Sequence, residues 1–452
     1  MTRSVYPKYK DPGIPWLGAV PSQWEVKRIK HTTYLKGRIG WQGLNSSEYA
    51  DEGPYLVTGT DFDSGEIRWE RCYHVSEERY REDPCIQLKE EDLLITKDGS
   101  IGKLAVVKNL PGRATLNSGI FLTRPQHDQY ASEYLFFVLD SRAFSDFIEI
   151  TKTGTTISHL YQNVFAEFTF PVPPLPEQRA IAAFLDRETA RIDGLIEKKQ
   201  RQIELLQEKR AALISHAVTK GLNPNAKMKP SGIEWLGDVP AHWETKRIKH
   251  ACRLESGHTP KMSEPTYWVE AECSIPWVSL RDTKTLECYD VISDTNVKIS
   301  PLGMANSSAH LIPSGAVVFN RDGARVGLSA ILGRPMAVSQ HLIAWVCGQG
   351  VLNRYLLNVL YAMEQEIYRI TSGSTIPTIG MPDVGRMVMP VPPPHEQEAI
   401  VEFIEKERSK VNALIALISN SIKYLYEYRT ALIAAAVTGK IDVRDFPAEA
   451  AS

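Results

Sequence analysis

Long apolar runs are missing from this 452-residue sequence, so nothing in it can serve as a membrane-spanning helix. The first residues also lack the apolar core of a secretion signal. Both absences point to a cytoplasmic chain with no membrane partner. Cysteine is scarce. Cys72, Cys85, Cys252, Cys273, Cys288 and Cys347 are scattered and form no Cys-x-x-Cys pair, which leaves zinc without a ligand set and implies reduced thiols. A dominant charge is lacking as well: 52 Lys and Arg against 54 Asp and Glu give a net charge of −2. No global field announces a nucleic-acid partner, although cations gathered on one face would serve one equally well. Motifs of chemistry are absent too. Gly99 to Lys103 reads GSIGK and runs into Leu104, which breaks the phosphate-loop pattern. There is no HExxH and no nucleophile elbow. Glu177 and Glu396 occupy equivalent places, but they open helices rather than form an acid/base pair. We expect no catalytic residue, no metal ligand and no cofactor in this chain.

What the sequence does have is itself, twice. GIPWLGAVPSQWEVKRIKH from Gly13 returns as GIEWLGDVPAHWETKRIKH from Gly232, identical at fourteen of nineteen positions and at an offset of 219. TGTTISHLYQNVFAEFTFPVPPLPEQRAIAAFLD from Thr153 is echoed by SGSTIPTIGMPDVGRMVMPVPPPHEQEAIVEFIE from Ser372 at the same offset, and RAALISHAVTKG from Arg210 by RTALIAAAVTGK from Arg429. Between these anchors the copies diverge. PYLVTGTDF at Pro54 resembles PWVSLRDTK at Pro276, and LLITKDGSIGKLAVV at Leu93 resembles VVFNRDGARVGLSAI at Val317, with the offset drifting to 222 and 224. The period is far beyond the roughly 20–50 residues of a solenoid repeat. Two copies in one chain make a pseudo-dimer, for which an approximate two-fold is the natural packing.

Each copy ends in a long helix. Pro176-Glu177 suits a first turn, and Gly221 with Pro224 marks the stop. Between them Ile181, Leu185, Ile192, Ile196, Ile203, Leu206, Leu213 and Ala217 recur at three- and four-residue steps, and Ile400, Ile404, Val411, Ile415, Ile422, Leu425, Leu432 and Ala436 repeat the stripe. Glu188, Lys199 and Arg210 interrupt the first stripe; Arg429 matches Arg210 in the second. A sustained 3.5-residue period predicts a coiled coil with Ile192, Ile196, Ile203, Leu206, Leu213, Val411, Ile415, Ile422, Leu425 and Leu432 in its core. The alternative is that each helix packs only on its own domain. A basic zipper is disfavoured, because PVPPLP breaks the chain where a zipper helix would run on into its DNA-binding region. The expected fold is α+β: two mixed α/β domains separated by two long helices that form an antiparallel coiled coil, as a pseudo-two-fold duplication. The predicted segments are 1–175, the helix 176–221, 222–394, the helix 395–440, and a tail 441–452.

The divergent middles carry the candidate contacts. Leu93–Thr96 and Lys103–Val107 read as strands around the Asp98-Gly99 turn, while Tyr134–Val138 and Leu352–Ile367 read as helix. Lys97, Gly99 and Lys103, with Arg113, and Arg321, Gly323 and Arg325 place cations on or near equivalent turns. Thr155, Thr156, Ser374 and Thr375 offer hydroxyls beside glycine. Such groups suit phosphate oxygens, and arginine suits guanine in the major groove. Plain turn chemistry explains the same residues, as solvated surface explains the basic clusters Lys27–His31 and Lys246–His250.

Taken together, the repeated PxPPxxEQ-plus-helix signature, the WLGxVPxxW opening and the helix endings ALISHAVTKG and ALIAAAVTGKID resemble the specificity subunit of type I restriction–modification systems, over essentially the whole chain. The resemblance implies two target recognition domains, each reading half of a split double-stranded DNA site, with the helices as spacer and docking platform for two methyltransferase (M) subunits. S-adenosylmethionine, ATP and Mg would belong to partner subunits, including restriction (R) subunits in the larger complex. Half-sites about one helical turn apart, roughly 34–36 Å, would suit such a frame. Two alternatives stay open at this point: an internally duplicated protein-binding scaffold that never touches DNA, and the specificity subunit of a related fused cutting and methylating system.

Overall fold

The computed structural model of the chain describes residues 5–38, 44, 46–151, 159–373 and 376–446. It divides into two units: Met1–Lys199 with Asn420–Ser452, and Gln200–Ser419. Each unit therefore holds one recognition-domain copy, the first part of one long helix and the last part of the other.

In the first unit the chain pairs Glu25–Arg28 (β1) with Thr169–Val172 (β6) in a two-stranded antiparallel ladder. Its main sheet runs Thr33–Gly37 (β2), Ile120–Pro125 (β5), Leu93–Thr96 (β3), Leu104–Val106 (β4), then two short strands at Glu66–Ile67 and Phe62–Asp63. Ser132–Leu139 (α1) packs on it, and Leu175–Lys220 (α2) follows β6. The second unit repeats this: Glu244–Arg247 (β7) pairs with Val388–Val391 (β12), and the main sheet runs Cys252–Ser256 (β8), Leu342–Cys347 (β11), Val317–Asn320 (β9), Ser329–Leu332 (β10) and Val291–Ile292. Asn353–Ala362 (α3) corresponds to α1, and Pro394–Val437 (α4) to α2. The expected helix over 352–367 is broken at Met363, after which a second helix covers Glu364–Ile370. The strands at 93–96 and 104–106 form where expected, with every residue of both buried.

The Pro-rich stretch, expected to be only a break, is a strap. Pro171 and Pro390 lie inside β6 and β12, opposite Val26 and Thr245. Both prolines sit at pairs whose N–H groups point away from the partner strand, so the missing N–H costs no ladder bond. The carbonyls are used: Tyr134 donates its hydroxyl to Pro171 O at 3.0 Å, and Tyr355 donates to Pro390 O at 3.2 Å. Burial raises both phenol pKa values well above the ordinary tyrosine value, so each stays a donor.

Within the first unit, Ile181, Leu185, Ile192 and Ile196 of α2 share one core with Leu432, Ile433, Ala436 and Val437 of α4 and with Leu93, Phe121, Tyr134 and Phe168. Burying each such large side chain contributes about 1.5–3 kcal/mol. The helices run antiparallel: Asp193 of α2 meets Arg429 of α4 (3.2 Å), while Phe184, earlier in α2, meets Phe446 beyond the end of α4. In the second unit Arg210 Nη1 donates to Asn412 Oδ1 at 3.0 Å, and Ile214, Ala217 and Val218 share a core with Ile400, Val401 and Ile404. The arginines that interrupt each apolar stripe are thus equivalent crosslinks between helices, since Asp193 and Asn412 are also separated by the repeat offset.

The seam is less buried than a continuous coiled-coil core would be. Ile192, Ile196, Val411 and Leu432 are buried, whereas Ile203, Leu206, Leu213, Ile415, Ile422 and Leu425 are half-exposed, and Ile214 rather than Leu213 enters the core. Two helices alone cover only one side of a seam residue. Full burial arises where a recognition domain adds a third layer. Residues 441–446 extend the fold beyond α4: Ile441 and Val443 lie in the first unit's core, and Arg444 stacks on the Tyr6 ring, 5.0 Å from its centroid. The cysteines are free; Cys252 and Cys347 face each other across β8 and β11 with sulfurs 3.7 Å apart. Among the described residues no helix is long and apolar enough to cross a membrane.

Candidate nucleic-acid interface

The residues shared by both copies build the frame. Trp24, fully buried, donates from Nε1 to Glu177 Oε1 (3.0 Å), and Trp243 donates to Glu396 Oε2 (2.9 Å). Glu177 also accepts from the Tyr6 hydroxyl at 2.5 Å, and Glu396 lies 2.7 Å from His242 Nε2. The next residue clamps the strap: Gln178 donates to Pro173 O (2.7 Å) and accepts from Ala131 N (2.9 Å), while Gln397 donates to Pro392 O (2.8 Å) and accepts from Leu352 N (2.9 Å). The repeated Glu-Gln pair therefore ties each helix start to its opening tryptophan and its recognition domain. Sequence reasoning saw these glutamates only as helix starts. The available signal was that Trp24 and Trp243 repeat at the same offset as Glu177 and Glu396.

Each tryptophan also seats the far end of the other helix. Gly439, just past α4, has φ +70°, and a Cβ there would lie 2.3 Å from Pro21 Cδ and 3.0 Å from Trp24. Gly221, just past α2, has φ +73° and a Cβ position 3.0 Å from Trp243. Glycine is required at both by the left-handed backbone and by the close approach.

On this frame the divergent loops leave the ends of β3 and β9. Lys97 N donates to Gly119 O (2.8 Å) and Lys97 O accepts from Leu160 N (2.8 Å); Arg321 N donates to His341 O (3.1 Å) and Arg321 O accepts from Ile379 N (2.8 Å). The same central position is thus bridged on both sides in each copy. Gly99 and Gly323 follow with φ of +67° and +96°.

The expected contact residues fare differently. Lys97 is turned inward, buried, with its ammonium 5.0 Å from the Phe121 ring centroid. Arg321 is half-buried and spends its guanidinium on the carbonyls of Gln340 and Ile379, each at 3.3 Å. Arg113 and Arg325 are exposed but paired, with Glu77 at 2.7 Å and Glu287 at 2.8 Å. Lys103 is exposed and lines a cleft with Glu133, Asp140, Asp186 and Arg429. Burial raises the carboxyl pKa of Asp140 and Asp186 in that cleft. Thr155, Thr156, Ser374 and Thr375 lie outside the described residues. The basic clusters are partly neutralised: Arg28 and Lys30 pair with Glu167 at 3.1 and 2.5 Å, and Lys27 with Glu25 at 2.6 Å. The Lys30 ammonium, first among those cations, holds the Glu167 carboxyl below its ordinary pKa.

Comparison with known families decides what this frame is. The family model for the type I restriction modification DNA specificity domain matches twice, over residues 21–205 and 240–424. The chain belongs to that family. The two matches are separated by the repeat offset and coincide with the two copies described above. The MjaIX specificity subunit of a type I restriction enzyme from Methanocaldococcus jannaschii is 23% identical over 439 residues, covering 95% of this chain and 96% of that one. A chain from a solved type I restriction–modification system superposes with a TM-score of 0.71 at 18% identity, covering 93% of this chain and 99% of that one. The HsdS subunit from Thermoanaerobacter tengcongensis gives a TM-score of 0.53 at 19% identity, with 93% and 98% covered. This type I specificity chain thus carries two tandem recognition domains and two long helices, and the protein-only scaffold is the poorer description of it. Specificity subunits of this kind work within complexes with DNA and partner subunits.

Proposed function

We propose that the chain is the reader of a bipartite, asymmetric double-stranded DNA site. The recognition domain within residues 1–175 reads one half and that within 222–394 the other. The helices at 176–221 and 395–440 set the unread spacer and dock two methyltransferase subunits, which carry S-adenosylmethionine; restriction subunits using ATP and Mg join the larger complex in the cytoplasm. This chain supplies recognition and no bond-making chemistry.

The observation that carries this reading is a shared frame with unlike tips. The Trp–Glu–Gln ties and the sheet order repeat, while the loops after β3 and β9 differ, with Lys97 and Gly119 in one copy where Arg321 and His341 stand in the other. Equal frames bearing unequal side chains suit two half-sites of different sequence. Solvent-exposed apolar side chains on α4, namely Leu414 and Leu417 in the second unit and Tyr424 and Tyr426 in the first, support a docked partner.

Exchanging residues 32–152 for those of another specificity chain tests it. Mapping of methylated adenines should show one half-site replaced and the other intact; replacement of both halves, or of neither, would refute modular reading. Inserting four residues near Lys199 and near Ile418 should lengthen the unread spacer, and an unchanged spacer refutes the ruler role.

A further inference from the structure

Each recognition loop carries a carboxylate at its tip, Asp98 in the first unit and Asp322 in the second, and each carboxylate holds a histidine. Asp98 Oδ1 contacts His159 Nδ1, and Asp322 Oδ2 lies 3.0 Å from His341 Nδ1. These histidines do not occupy equivalent positions. His341 corresponds to Gly119, and His159, one repeat offset before Thr378, corresponds to that threonine. In the first unit the imidazole arrives from the segment ahead of β6, bridged to Asp98 backbone to backbone. In the second it arrives from the turn before β11, on the opposite side of the aspartate. Divergence has moved the donor across the loop while keeping the pair.

Both histidines use the same nitrogen. With Nδ1 on the carboxylate, ring geometry turns Nε2 away from it; His341 Nε2 faces the Gln340 side-chain amide, 3.4 Å from Gln340 Nε2. Both rings are reachable, with side-chain exposures of 33% for His159 and 40% for His341. Asp322 itself is buried, and its second oxygen has no hydrogen-bond partner among the described residues. A bare carboxylate on a surface that meets a polyanion is repulsive, whereas a carboxylate-held imidazole, its Nδ1–H spent on that carboxylate, presents an outward N–H together with a positive charge once it is protonated.

We propose that His159 and His341 are the direct DNA contacts of their recognition domains, each in its protonated form presenting Nε2–H to an acceptor on the duplex. That acceptor is a phosphate oxygen or the N7/O6 edge of guanine. Asp98 and Asp322 are positioning residues, which fix the ring and cancel their own repulsion. This inference rests on the DNA-reading function proposed above and adds the atoms that do it. Lys97 and Arg321, the cations beside the aspartates, are by contrast engaged within the protein.

The test uses the assembled complex and duplexes with and without its target, over a range of salt. Wild-type binding that is absent or independent of salt would sink the DNA-reading function itself. Given wild-type binding, His159→Thr and His341→Thr should each weaken it about tenfold, the loss of one charge-assisted hydrogen bond. Equal weakening on all duplexes with a salt slope shallower by about one marks phosphate. Relaxed preference at one base pair, in a different half-site for each variant, marks guanine. Unchanged affinity, salt slope and target in both variants overturn the proposal, as does a loss wholly accounted for by a lowered Tm. A transposed variant, Gly119→His with His159→Thr, guards against a folding artefact. The Cβ it adds would lie 3.8 Å from Asp98 Cβ, an ordinary contact. It should regain the affinity lost by His159→Thr, and failure to regain it at wild-type Tm counts against the inference.

Discussion

A single methyl group at Gly439 should destabilise the first unit more than the same change at a neighbouring open glycine. Gly439→Ala forces an L-residue into φ +70° and places its Cβ 2.3 Å from Pro21 Cδ, 2.4 Å from Pro21 Cγ and 3.0 Å from Trp24. The left-handed backbone costs roughly 1–2 kcal/mol for a residue with a Cβ. Pushing a methyl into a packed proline and indole adds about 1–3 kcal/mol. Gly18→Ala, in the same unit at φ +64° with nothing within 4 Å of the new Cβ, carries only the backbone part. Gly221→Ala in the second unit meets Trp243 at 3.0 Å and Pro240 at 3.8 Å, so it should fall between them. The measurable claim is the difference: Gly439→Ala loses about 1–3 kcal/mol more than Gly18→Ala, the part due to crowding alone. Urea unfolding followed by tryptophan fluorescence reads it, because Trp24 sits at the site. Equal losses for Gly439→Ala and Gly18→Ala would show that Pro21 and Trp24 do not seat the end of α4, and the frame built on them would fall.

Two further outcomes follow from the same frame. Glu396→Ala strands the buried Trp243 N–H, and Glu177→Ala strands both the Trp24 N–H and the Tyr6 hydroxyl. At about 1–3 kcal/mol per orphaned donor, Glu177→Ala should be the costlier by urea midpoint, and the reverse order would contradict the pairing. Asp442 accepts from Arg444 at 2.6 and 2.9 Å, and that bond first of all lowers its carboxyl pKa below the ordinary value. A depressed folded pKa means stability that is present above the unfolded pKa, near 3.9, and lost as pH falls through the folded one. Asp442→Asn should therefore lower Tm at neutral pH, with the gap to wild type closing in acid; a gap that widens in acid would reverse the sign.

The sequence by itself determined the duplication, the offset between its copies, the two long helices and the existence of an apolar seam between them. These are local or repetitive signals: a 3.5-residue period is written in consecutive residues, and a second copy can be seen by alignment with the first. It also placed the loops at Asp98-Gly99 and Arg321 to Gly323, because glycine with φ above zero marks a turn. Only the tertiary structure decided what each charged residue in those places does. Lys97 and Arg321 read as free cations, yet one lies over Phe121 and the other is spent on carbonyls, since the segments that claim them are 24 and 19–58 residues distant. Glu177 and Glu396 read as helix starts, yet each receives an indole N–H from 153 residues earlier. Six of the ten predicted seam residues proved only half-buried, because burial depends on a third layer that no helical period encodes. The physical reason is the same throughout. Periodicity is carried by neighbours along the chain, whereas hydrogen-bond partners and burial are set by whichever distant segment folding brings alongside, as when two histidines from unrelated positions come to rest on equivalent aspartates.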